Sequence, residues 1–322
     1  MNDLAGADGQ IRRRSVILTT DCGADMDDQW ALAHLALCPE LRLAGVVATH
    51  APNLPAPAAA SAAQFSREVL EYLPSRVRPT VIVGSNGPLG HDRSGASSGA
   101  DFLIDRAHGH TTADRLLVLV AGAATDVAAA LLRDETLGDR IEIVAMAFDG
   151  WPDSDDSFNV RNDPLAWRIL LESRASIVVG DAAVTGRDLG MSRERAQRLL
   201  GDCPPAGPYL VGLLVGWLEA HSDLVRQVTG DATVWPVWDQ VLVAHLLGMT
   251  TVETHQRPAL RDDLSFDHEP DTGQTIDWIT AIDADRLWAD LRLRLATASD
   301  LTTGQRSTAD DCAGPPHGLP ID

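Results

Sequence analysis

A single α/β domain with a mostly parallel, Rossmann-like central sheet is predicted by three observations. Short β-branched runs alternate with amphipathic or alanine-rich stretches over residues 14–297. Such alternation implies βαβ crossovers, hence parallel strands buried on both faces. Neither an internal repeat nor a stretch of linker composition divides the chain. In chain order, Ser15-Val-Ile-Leu-Thr-Thr20 reads as the first strand, and 27–37 as a helix with apolar residues at helical spacing. A strand over 43–49 and an alanine-rich helix over 57–72 follow. Further buried strands are predicted at 80–84, 115–120, 141–147 and 176–180, with helices at 125–133, 163–173 and 192–200. Residues 1–13 and 298–322, polar and rich in turn-forming residues, read as flexible tails.

Composition narrows the chemistry. The 322 residues carry 26 Lys+Arg against 46 Asp+Glu, a formal net charge of -20. That balance argues against a nucleic-acid polymer, whose binding depends on clustered cations. All the basic residues are arginine. Without lysine neither Schiff-base chemistry nor a Walker A loop is possible. Cys22, Cys38, Cys203 and Cys312 form no CxxC pair and fit a reduced protein. The first residues lack the apolar core of a signal peptide, and no apolar stretch is long enough to span a bilayer. A soluble, cytoplasmic protein with no membrane partner is expected.

Ligands of such a sheet bind beyond the carboxyl ends of its strands, so the loops there hold the function. The first is Thr19-Thr20-Asp21-Cys22-Gly23-Ala24-Asp25-Met26-Asp27-Asp28, four carboxylates within eight residues beside a glycine that permits a sharp turn. One reading is helix capping, with Asp25 as N-cap and Asp27 and Asp28 complementing the helix dipole. It leaves Asp21 unexplained. The other is an oxygen-ligand site for a hard cation, Ca²⁺ or Mg²⁺. An EF-hand starting at Asp25 is excluded by Trp30 and Ala36, which stand where Gly and Glu are required. A haloacid-dehalogenase-type site lacks its second Asp and its lysine.

Strand, then Asp-x-Gly-x-Asp-x-Asp-Asp, then Ala-Leu resembles the signature of the inosine/uridine-preferring nucleoside hydrolase family, with Thr19 in place of the family's first Asp. Three later segments agree in order: Val120-Ala-Gly-Ala-Ala-Thr125-Asp, Ser157-Phe158-Asn159 followed by Asp163-Pro164, and Val237-Trp238-Asp239-Gln240. Thr275 to Leu295 is similar to the family's closing strand and helix, so the resemblance spans about 15–296. It implies the nucleoside hydrolase fold, a homodimer or homotetramer, and Ca²⁺-dependent hydrolysis of the N-glycosidic bond of a nucleoside-like small molecule. It further implies Asp21, Asp28, Asp239 and the Thr125 carbonyl as metal ligands, with Asp21 also the general base. Asp27 and Asn159 are then ribose ligands and Asn53 a sugar contact. Thr125 also reads as an ordinary helix cap.

The chain departs from the family at the substrate. Ser157 replaces a ribose-binding Glu, with Asp156 adjacent, and Phe148-Asp149-Gly150-Trp151 lacks an upstream Asn. Trp238 stands where the family has a leaving-group His, which in purine-specific members is also Trp. Stacking on its indole, with the proton drawn from solvent, points to purine ribonucleosides. Trp151 is placed near the cavity mouth, and His91 is a candidate mobile-loop contact. Two rivals are an enzyme of this fold acting on a modified nucleoside or other non-standard substrate, and a catalytically silent binding homologue. The second does not explain why four clustered acids persist.

Overall fold

The computed structural model describes residues 13–74, 77–90, 96–154, 157–269 and 273–310. From the N-terminal side, β1 (Arg14–Thr20), α1 (Asp27–Ala36), β2 (Leu41–Ala48), α2 (Ala58–Glu71) and β3 (Val81–Val83) form the first βαβαβ unit. The chain continues through α3 (Ser98–Ala107), β4 (Leu116–Val120), α4 (Thr125–Arg133), β5 (Ile141–Met146), α5 (Phe158–Asn162), α6 (Pro164–Glu172) and β6 (Ser176–Gly180). Next come α7 (Ala182–Asp188), β7 (Gly190–Ser192), α8 (Arg193–Leu200), α9 (Ala206–Ala220), α10 (Ser222–Thr229), β8 (Val234–Pro236) and α11 (Gln240–Leu246). The fold closes with β9 (Thr250–Gln256), β10 (Ala259–Leu260), β11 (Phe266–Asp267), β12 (Thr275–Ile282) and α12 (Ala284–Asp310).

The main sheet has eight strands in the order β3-β2-β1-β4-β5-β6-β12-β9. Its pairings are parallel except the last, where β9 runs antiparallel to β12. Side chains alternate across it with the period of two that a strand imposes. Val16, Leu18, Leu117, Leu119 and Val144 pack with α1, α9, α11 and α12 on one face. Ile17, Leu116, Val118, Ile143 and Ala145 pack with α3, α4 and α6 on the other. Covering both faces is why the strands read as continuous apolar runs rather than alternating ones.

The strands and helices predicted from sequence are present, with ends shifted by at most two residues. Two expectations change. The last helix runs to Asp310, past the Leu295 to which the closing helix is expected to reach. Helix α1 is buried around nearly its whole circumference, from Asp27 to Leu35, rather than along one stripe. Residues 1–12 and 311–322, with Cys312, lie outside the described residues; Cys22, Cys38 and Cys203 are buried free thiols.

Candidate active site

In the order β3-β2-β1-β4, the chain winds one way from β1 and the other way from β4, which opens a crevice where the two strands end. Asp21 leaves β1 at this point, and Ala121-Gly122 leaves β4 beside it. Gly23 takes a φ of +94°, the left-handed region that a side chain resists, and turns the chain into α1. A Cβ on Gly122 would lie 2.9 Å from the Asp21 amide nitrogen and Cγ. Only glycine lets the second loop support the first so closely.

Four carboxylates meet there, all buried: Asp21, Asp27, Asp28 and Asp239. Asp27, Asp28 and Asp239 offer carboxylate oxygens that all lie within 4.8 Å of one another. The Asp239 amide donates to Asp27 Oδ2 at 3.2 Å, and the Thr20 hydroxyl donates to Asp28 Oδ1. One oxygen each of Asp21 and Asp239 has no hydrogen-bond partner among the described residues. Burial pushes the carboxyls of Asp21, Asp28 and Asp239 well up from the usual range, and repulsion from neighbouring acids adds to it. Burial likewise takes Asp27 up to about 6. Orphaned oxygens, mutual repulsion and a donor set of oxygen alone fit a hard divalent cation. The sequence reading grouped Asp21 with Asp28 and Asp239; the geometry adds Asp27 to the cluster and sets Asp21 beside it.

The frame behind these acids is rigid. Trp30 Nε1 donates to the Leu210 carbonyl at 3.1 Å, tying α1 to α9. The fully buried His34 ring spans Gln240 Oε1 and Asp290 Oδ2, each at 2.9 Å. It thereby fixes α1, which carries Asp27 and Asp28, to α11, which follows Asp239. Asp25 is not the helix N-cap: Met26 holds that position without a side-chain cap bond. Asp25 instead accepts from the Met26 amide and from Trp235 Nε1, the latter at 2.5 Å, because the cavity wall offers an indole N–H needing an acceptor.

The acids open into a cavity of about 360 Å³. One wall is aromatic, made by Trp217, Trp235 and Trp238, with Leu224 and Val228 of α10 above them. Trp235 meets Trp238 edge-on at 5.8 Å and Trp217 at 5.7 Å. Leu224 and Val228 are 43% and 51% exposed, unusual for such residues unless something covers them. Trp151 does not reach this cavity. Its ring stacks on His255 at 4.3 Å and packs against Phe266 and Trp278, an aromatic cluster that draws it away from the mouth. Trp235 and Trp217 take the place expected for it. Trp235 had a signal in Val234-Trp-Pro-Val-Trp238; Trp217, inside an apolar helix, reads from sequence as core.

The remaining candidates divide. Asn53 lines the cavity, its Nδ2 donating to the Ala24 carbonyl at 2.7 Å. Asn159 also lines it, with Nδ2 donating to the carbonyls of Ala121 and Met146 at 3.1 and 3.0 Å, so it pins the ends of β4 and β5 together. Ser157 lines the cavity, but its hydroxyl is taken up as N-cap of α5 and as acceptor for the Phe148 amide. Thr125 is not among the lining residues, and Ala124 rather than Thr125 holds the N-cap position of α4. The Thr125 hydroxyl donates to Asp163 Oδ2 at 2.7 Å, in contact with His50, because Asp163, the N-cap of α6, presents its second oxygen there. His91 and Asp156 lie outside the described residues.

Comparison with known proteins agrees with this geometry. The model of the inosine-uridine preferring nucleoside hydrolase family matches residues 16–290. A plant nucleoside hydrolase superposes with a TM-score of 0.71 at 19% identity, covering 88% of this chain and 99% of its own. A purine-preferring ribonucleoside hydrolase from Gardnerella vaginalis gives 0.70 at 19% identity, with 89% and 100% covered. An inosine-uridine preferring nucleoside hydrolase from Bacillus anthracis gives 0.64 at 17% identity, with 88% and 99% covered. At such identities the superpositions speak for the fold, and the family rests on the model match. No curated protein sequence matches the chain.

Proposed function

The chain belongs to the inosine-uridine preferring nucleoside hydrolase family and is an N-glycosyl hydrolase, and from that premise we propose that it releases the base of purine ribonucleosides with the help of a bound Ca²⁺. The observation that carries this reading is the buried oxygen cluster of Asp27, Asp28 and Asp239 opening onto a wall of three tryptophans. Ca²⁺ suits it better than Mg²⁺, because clustered carboxylates together with sugar hydroxyls offer the higher coordination that the larger ion takes. When bound, the ion supplies charge that makes a neighbouring water more acidic and orients it.

This chain's own residues do the rest. Asp27, Asp28 and Asp239 hold the ion and the ring hydroxyls around it. Asp21, with a buried oxygen lacking a partner among the described residues, accepts the proton of the attacking water. The developing positive charge on the sugar faces four carboxylates, which favours an oxocarbenium-like transition state over the neutral ground state. Trp238, half-buried on the cavity wall and backed edge-on by Trp235, stacks on the departing base, a contact worth about 1–3 kcal/mol per base. The bond from Trp235 Nε1 to Asp25 fixes the ring that backs Trp238. The base takes its proton from solvent. The half-buried Trp217 and Trp238 and the exposed Leu224 and Val228 favour the larger purines, whose two fused rings cover more of that wall.

The test is chromatographic detection of free base from a panel of purine and pyrimidine ribonucleosides, with Asp28→Ala as control. Release from purine nucleosides that the substitution abolishes supports the reading. Silence across the panel with the metal still bound removes it.

A further inference from the structure

The cavity shares two of its lining residues with a neighbouring hollow. Phe158 and Arg161 also line a second hollow of about 590 Å³, floored by His50 and Asn162 and edged by Asn86 and Gly87. The geometry points to this hollow as a subsite for a phosphate monoester on the exocyclic carbon of the sugar, so that the substrate is a nucleoside 5′-monophosphate rather than the free nucleoside. The inference rests on the nucleosidase reading above.

Three observations converge. First, orientation: with the base on the tryptophans and the ring hydroxyls at the acids, the sugar's exocyclic carbon is the part left for the Phe158–Arg161 side. Second, charge: the position where the resemblance expects a Glu carries Ser157, whose hydroxyl oxygen accepts from the amides of Phe148 and Val160. With its acceptor positions taken and no charge, it cannot receive a hydrogen bond from a free sugar hydroxyl as a carboxylate would. One helical turn on stands Arg161, the sole cation among the described residues lining either hollow. A guanidinium grips phosphate through paired charge-assisted hydrogen bonds. Third, room: the second hollow begins at residues that also line the first, so a group on the sugar can extend into it. A Cβ on Gly87 would meet nothing within 4 Å, so the hollow has room beside the backbone. Asp149 lines the first cavity but not the second, which keeps its charge away from the phosphate.

The phosphate ester is left intact. Water's oxygen bonds to the anomeric carbon, the glycosidic bond breaks, and its electron pair leaves with the base, which takes up a proton. Free base and ribose 5-phosphate result.

Two measurements test this on the metal-loaded protein. One compares kcat/KM for base release from inosine, guanosine and adenosine with that from their 5′-monophosphates, in wild type, Arg161→Lys, Arg161→Gln and Arg161→Glu. The monophosphate is expected to be preferred about tenfold or more, as one charged hydrogen bond would give. The preference falls toward one in Arg161→Gln, inverts in Arg161→Glu and is largely kept in Arg161→Lys. Equal turnover of both forms, or preference for the free nucleoside, overturns the subsite while leaving the nucleosidase reading intact. The other titrates ribose 5-phosphate against ribose calorimetrically. If no substrate is turned over, the nucleosidase reading fails, and this titration decides the subsite alone. Tighter binding of the phosphorylated sugar, weakened by Arg161→Gln, supports it; equal or absent binding overturns it.

Discussion

The two ends of the active cavity are built on opposite principles. At the end of β1 and β4, four buried acids are held by backbone amides, a threonine hydroxyl and the His34 brace, and glycines at 23 and 122 allow no side chain. At the α5 end, Phe158 is 40% exposed, Arg161 is exposed, and the hydroxyl of Ser157 merely caps a short helix. Buried like charges tolerate little change, because any change leaves a carboxylate without compensation. Exposed residues on a short helix can be exchanged at small cost in stability. The proposed function accordingly places chemistry at the rigid end and recognition of the sugar's far side at the permissive one.

The hardest way to break this contrast is at the carboxylates. Asp239→Ala is expected to lower base release by more than the roughly 100-fold that loss of an outer partner of a metal ligand costs. Chelation followed by calorimetry reads the same region without mutation. Binding at 100 times Kd contributes about 2.7 kcal/mol, so removing the ion is expected to lower Tm by several degrees, and Ca²⁺ to restore more than Mg²⁺ at equal concentration. Asp28→Ala should abolish that restoration. A Tm indifferent to chelator would show that the acids do not hold an ion.

Gly122→Ala comes next and tests positioning alone. The added methyl group meets Asp21 at 2.9 Å, so one of the two must shift by some tenths of an ångström or more. A misplacement of about 1 Å costs on the order of 100-fold in rate. The expected result is a fall in kcat of roughly 10- to 100-fold with little change in metal affinity, measured by titration. An unchanged kcat would mean that Asp21 is not the proton acceptor.

Asp21 is visible in sequence because an acid at a strand end that no helix cap explains demands a reason, whereas Asp239 shows only through its resemblance to a family segment. The strands were visible because burial on both faces leaves continuous apolar runs. What sequence could not supply was direction. Whether Trp151 or Trp235 faces the cavity depends on a stack with His255 and a bond to Asp25, partners 104 and 210 positions away in the chain. Asp25 looked like a cap because the spacing fits one, yet an indole across the cavity claimed its carboxylate. Thr125 likewise looked like a cap until Asp163, on a different helix, took its hydroxyl. Long-range partners decide such cases, and no local pattern encodes them.

On the aromatic wall, Trp238→Ala is expected to raise KM for purine substrates by about 5- to 100-fold, the equivalent of about 1–3 kcal/mol of stacking. Trp238→Phe should recover part of that loss. Steady-state kinetics on inosine and uridine separate the cases: a purine-selective loss supports stacking, whereas equal losses point to general collapse of the wall.

The smallest expected effect lies behind the site, at Asp290. Burial alone would raise its carboxyl, but hydrogen bonds from His34 and Arg294, with the charge of Arg294, outweigh burial and hold it at about 2. Its unfolded value is the ordinary one near ~4. A carboxyl lowered on folding adds stability above the unfolded value and loses it as pH falls through the folded one. Asp290→Asn is therefore expected to cost about 1 kcal/mol after solvent screening, or roughly 2–4 °C in Tm, at pH 5–7. The gap between wild type and variant should narrow between about pH 4 and pH 2. Base release at pH 7 should fall far less than in Gly122→Ala, because His34 keeps its bond to Gln240 and the acids keep their places. A gap that persists undiminished toward pH 2 would mean that Asp290 braces the frame by packing rather than by charge. A loss of activity as large as that at Gly122 would extend the rigid end of the cavity through His34 to the far side of α1.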